Sequence, residues 1–171
     1  MRDKRFIAEH RGGLLKKAEH RQLVQWACDC ARHVLPLPGQ NVDERLQAAL
    51  AVADRWAAGH AATGEAMQAS RAAHAAAREA AYPVAAAVAR AVGQAVATAH
   101  MADHSLGAAW YALKAVQRAG KPAAAERQWQ HEQLPPALRA WIAEARRTKE
   151  GAVPDEDTPP QNGYDQDTSS K

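Results

Sequence analysis

Leu23, Trp26, Ala27, Cys30, Ala31 and Val34 recur at steps of three and four, the spacing that lines one side of an α-helix. This stripe predicts a helix from about Ala18 to Leu35. Gly12-Gly13 opens the ordered region before it, and Pro36, Pro38 and Gly39 stop it. Asn41 is a suitable N-cap for a second helix, with Asp43 and Glu44 set against its positive end. Leu46, Leu50, Ala53 and Trp56 share a face there until Gly59. Thr63-Gly64-Glu65 starts a third helix that runs through Ala81. Its Ala66, Ala69, Ala73, Ala76 and Ala80 form a nearly bare face, which lets a neighbour approach toward the short end of the usual ~8–10 Å. Pro83 fits the first turn of a fourth helix, where its missing N–H is not needed. No proline interrupts Val84 to Ala119, but one helix of that length would span roughly 54 Å, long for this chain. A break near His100 to Ser105 is therefore expected, capped by Asp103 or Ser105. Further helices end at Gly120, open at Pro122 and open again at Pro135-Pro136, the last carrying Leu138, Trp141 and Ile142.

Composition supports an all-α fold. Hydrophobic residues are 47% of the 171, but alanine dominates them and there is a single Phe. Alanine loses no side-chain entropy in a helix and buries little area, so the five Trp must supply much of the core. The expectation is a compact bundle of six to seven helices, one domain over residues 1–150. From Gly151 the chain reads "GAVPDEDTPPQNGYDQDTSSK", too polar to offset the entropy of ordering, which predicts a disordered acidic tail over 151–171.

Charge divides along the same line. Asp155, Glu156, Asp157, Asp165 and Asp167 against Lys171 give the tail −4, so residues 1–150 carry +7 of the total +3. The basic residues are scattered without aromatic interleaving, which argues against nucleic acid as partner. The N-terminus lacks the apolar run of a signal peptide, and Arg90 and Gln94 interrupt the longest Ala-rich stretch, so no membrane span is expected. A cytoplasmic protein with two reduced cysteines follows.

Candidate chemistry is sparse. "WACDCARHVLP" places Cys28 and Cys30 two residues apart, hence roughly 200° apart around a helix, too far to share a metal ion or close a disulfide. Cys30 belongs to the core stripe as a small hydrophobe. Trp26, Asp29 and His33 stand at i, i+3 and i+7 along the stripe's edge, either as a solvated flank or as the rim of a polar pocket. Arg71, His74 and Arg78 repeat that spacing on the third helix, as a solvated basic face, an anion site or a partner for Asp29. His100 and His104 have metal-like spacing only if the helix is unbroken there, and no further ligand supports them. No metal or cofactor is expected. No phosphate loop, nucleophile elbow or HExxH pattern occurs, which argues against an enzyme.

Five stretches together carry a resemblance: "GGLLKKAEHRQLVQWACDCARHVLPL" (12–37), "AVADRWAAG" (51–59), "AHAAARE" (73–79), "VGQAVATAHMADHSLGAAWYALKAV" (92–116) and "ERQWQHEQLP" (126–135). They resemble a bacterial all-helical family of immunity proteins, the immunity-5-like group. The resemblance implies a non-catalytic helical domain, encoded beside a toxin of a polymorphic toxin system, that protects its producer by binding that toxin. It also places the family's polar signature on Asp29, His74, Arg78, His100 and His104. The segment "PLPGQNVDERL" (36–46) departs from the family's pattern, so the first loop is expected to differ. Two readings follow. In the first, the chain binds a cognate toxin, with Trp110, Tyr111, Trp129 and Trp141 as candidate contacts because Trp and Tyr are enriched among binding hot spots; a homodimer is left open. In the second, Asp29, His33, His74, Arg78, His100 and His104 form a small-molecule or metal pocket. The first predicts that the polar residues satisfy one another, the second that they converge on a cavity. Asp29 is expected to belong to a buried polar network with at least one of His74, Arg78, His100 or His104.

Overall fold

The computed structural model describes residues 1–39 and 41–150. Among them the apolar stripes become seven α-helices and no strand: α1 Lys17–Val34, α2 Glu44–Ala57, α3 Thr63–Glu79, α4 Pro83–Ala97, α5 His104–Arg118, α6 Ala123–Gln133 and α7 Pro136–Glu150. The chain is all-α, as its composition predicted. The expected acidic tail, 151–171, lies outside the described residues. No helix of the described residues is long and apolar enough to cross a membrane.

Local chemistry sets the boundaries. The Glu19 carboxylate accepts the Lys16 N–H and closes the first turn of α1. Asp43, not Asn41, caps α2, because its carboxylate accepts the Arg45 N–H at 2.9 Å. Pro83 occupies the first turn of α4. The long Ala-rich segment breaks between Ala97 and His104 as expected. Asp103 holds the cap position of α5, yet its carboxylate turns to Arg2 and Lys149, each at 3.6 Å.

Burial ranks the helices. Every residue of α5 from Ser105 to Val116 is buried, and so are Ala87–Ala89 and Ala91–Ala97 of α4. A helix apolar all round belongs at the centre. Here α4 and α5 pack on each other, with α3 against α4, α1 against both, α2 over α1, α3 and α4, and α6 on α5. Alanine permits the closeness, and Gly93 takes it furthest: a Cβ there would stand 2.6 Å from the His74 ring.

Order begins earlier than Gly12. Residues 3–15 form a strap of two 3-10 turns, Lys4–Phe6 and Glu9–Arg11, joined by the parallel bridge Ala8–Leu15. Gly12 reverses the chain at φ 83°, and Gly13 lies so close to Ile7 that a Cβ would fall 1.9 Å from its carbonyl oxygen. Phe6 is buried edge-on to Trp141 at 4.9 Å, and Arg5 reaches Glu144 at 3.0 Å, so the strap is fastened to α7.

Candidate functional site

Cys28 and Cys30 are both fully buried. Burial pushes the Cys28 thiol up to about 12 and holds Cys30 well above its ordinary value. A nucleophile or soft ligand needs the thiolate, and these sites oppose it. Among the described residues no group of three or more His, Cys, Asp or Glu is placed to hold a metal ion.

A buried polar network does exist, but it lies between α1, α6 and α7. Glu126 accepts the His33 Nδ1–H at 2.7 Å; a carboxylate only accepts, which fixes the tautomer. The Gln130 amide donates to Glu126 at 3.3 Å and to the Ala109 carbonyl at 3.0 Å, while its oxygen receives Arg146 at 2.8 Å. Arg146 also reaches Glu150 at 3.3 Å, and Glu150 is held from its other side by Arg127 at 2.6 Å. Trp26 closes the assembly, its indole N–H donating to the Gln130 carbonyl at 2.8 Å, with the Arg146 guanidinium 6.0 Å from the ring centroid. The Glu126, Glu150 and Arg146 side chains are only 5, 3 and 5% exposed. Burial lowers the Arg146 pKa, with Glu150 acting against it. Each buried charge here has an opposite charge or donors, which is what keeps such burial affordable.

The remaining candidates separate. Asp29 is exposed and makes no hydrogen bond or ion pair among the described residues. Its carboxyl is held above the usual range by partial burial, opposed by Arg32 and reinforced by Asp54, and Arg32 is itself paired with Asp54. The network expected around Asp29 is therefore not the one present: Asp29 points outward one turn before His33, and the buried network holds none of His74, Arg78, His100 or His104. Arg78 is also exposed. His74 is buried against Gly93, beside Ser70, whose hydroxyl donates to the Gly93 carbonyl at 2.9 Å. His104 Nδ1 bonds Gln94 Oε1 at 2.7 Å and ties the start of α5 to α4. His100 sits in the α4–α5 turn, so it and His104 do not share one helix. Of the aromatic candidates, Trp110 and Tyr111 are buried in the core. Trp129 and Trp141 are half-buried, Trp129 stacked on His33 with centroids 3.6 Å apart.

The structure also has a cleft of about 520 Å³ at the end of the bundle. One wall is Arg2 and the strap, from Phe6 and Ile7 to Arg11. The other is built by Lys17 and His20 of α1, Trp56 of α2 and the α4–α5 turn with His100 and Met101. His20 Nε2–H donates to the Thr98 carbonyl at 2.6 Å, and its ring lies 4.9 Å from that of Trp56, whose indole N–H reaches Thr63. Burial lowers the His20 pKa despite that bond, with His10 and Arg11 lowering it further. Of the candidate site residues read from sequence, only His100 lines this cleft. Aperiodic turns build the strap wall, and such turns carry no hydrophobic repeat. The Glu126–Gln130 and Arg146–Glu150 pairs at i, i+4 were a readable signal for the buried network.

A family model described as Imm-5 like putative immunity protein matches residues 13–137. No curated protein and no solved structure matches the chain.

Proposed function

The chain belongs to the Imm-5 like putative immunity protein family, and on that premise we propose that it binds and neutralises a cognate bacterial toxin encoded beside it, in the cytoplasm and without catalysing a reaction. The observation that carries the reading is the family match across 13–137, which takes in α1 to α6. The disposition of the polar side chains supports it: His33, His74 and His104 are engaged in holding helices together, and the thiols are kept protonated in the core. Function then falls to the surface, where half-buried Trp129 and Trp141 remain candidate contacts. The alternative, a pocket lined by Asp29, His33, His74, Arg78, His100 and His104, draws no support from side chains that face solvent at Asp29 and Arg78 and pack inward at His74.

Co-expression tests the reading. The C-terminal domain of the polypeptide encoded next to this gene should arrest growth alone, grow normally with this chain, and co-purify with it. Persistent arrest with no complex would overturn the proposal.

A further inference from the structure

We propose that the cleft between the strap and the α4–α5 turn is the toxin-reading surface, and that it takes an acidic segment of the cognate toxin. This rests on the immunity reading and adds the face and the chemistry of the partner.

Four observations lead there. First, the cleft is mixed in the way interfaces are: Ile7, Trp56 and Met101 offer apolar surface while charged side chains form the rim. Second, the rim is cationic. Arg11 and Lys17 are exposed and have no ion pair among the described residues, whereas one of the two acids present, Asp103, is already shared by Arg2 and Lys149. That leaves Glu9 against Arg11 and Lys17. A carboxylate-bearing segment complements that field.

Third, the cleft is pre-formed. Phe6 against Trp141, Arg5 on Glu144 and the close Gly13–Ile7 approach hold the strap wall in place, so a partner need not order it. Fourth, the strap wall lies outside the family match, which begins at residue 13, while the facing wall lies within it. One wall inside the family match facing another outside it is an arrangement suited to reading one toxin among many.

The test is titration calorimetry of the full chain with the purified C-terminal domain of the neighbouring polypeptide. Arg11→Glu with Lys17→Glu reverses two exposed rim charges and should leave the melting curve unchanged, yet weaken binding about tenfold or more. Lys121→Glu with Arg147→Glu, exposed and outside the cleft, changes net charge equally and should leave affinity within about twofold. Wild-type binding that both pairs leave intact, or that both weaken alike, overturns the cleft and leaves the immunity reading standing. If the wild-type chain does not bind at all, the immunity reading fails and the cleft assignment goes with it.

Discussion

Arg146 and Asp29 are charged residues with opposite fates, and the difference is who stands beside them. Arg146 is buried between Gln130 and Glu150 over the Trp26 ring. Removing its side chain leaves the Gln130 oxygen without that donor and Glu150 with Arg127 alone. Arg146→Ala should therefore cost about 3–5 kcal/mol, the usual range for breaking a buried pair. Asp29 has nothing comparable to lose, so Asp29→Ala should change stability by less than about 0.5 kcal/mol. Urea titrations of both variants at pH 7 decide this, and a near-neutral Arg146→Ala would dissolve the network. The sequence placed Asp29 and His33 on one edge of α1 and could go no further. Spacing defines which face a residue occupies, but His33's partner arrives from 93 residues away, and Asp29 meets no such residue. The resemblance marked Asp29, His74, Arg78, His100 and His104 together, yet the structure distributes them over the exterior, two helix contacts and the cleft.

At the scale of elements, the contact between α3 and α4 turns on one glycine. An interior helical glycine is ordinarily worth replacing, since Ala is up to ~1 kcal/mol better in a helix. At Gly93 the added methyl would meet the His74 ring at 2.6 Å, and buried rings in a close-packed interior cannot step aside without moving the backbone. Gly93→Ala should destabilise by about 1–3 kcal/mol, the range for overpacking. The same substitution in a His74→Ala background should be near neutral or stabilising. A double-mutant cycle by thermal unfolding measures this, and additive effects would show that the ring is not what the methyl meets. The helices themselves were the legible part of this chain, because Ala- and Leu-bearing stripes, prolines and caps all act within a few residues. α1 begins one residue before its expected start, α3 stops two short of Ala81, and the break at 98–103 falls where length demanded it. The strap escaped because its turns hold their shape by glycine conformation and by contacts with α7, neither of which leaves a period to read.

For the whole molecule, the strap is the piece that joins distant parts: its side chains touch α7 through Trp141 and Glu144, and Arg2 just before it touches the α4–α5 turn through Asp103. Its backbone returns on itself, with the Leu14 N–H on the Lys4 carbonyl at 3.0 Å and the Leu15 N–H on that of Ile7 at 2.9 Å. Phe6 and Leu15 are the buried apolar side chains of the strap, so the seating of Phe6 is expected to hold those bonds closed. Phe6→Ala removes a buried ring and should cost about 3–5 kcal/mol if the opening is global, but less if the strap can let go by itself. The second outcome is expected, because α4 and α5 pack against α1 and α3 without help from the strap. Native-state hydrogen exchange distinguishes the two. In Phe6→Ala the Leu14 and Leu15 amides should lose protection while amides in the middle of α4 and α5 keep theirs. Equal loss everywhere would mean that the strap is part of one cooperative unit. Selective loss would leave a folded body whose cleft lacks one wall, and toxin affinity measured on that same variant should then fall while the helices remain intact.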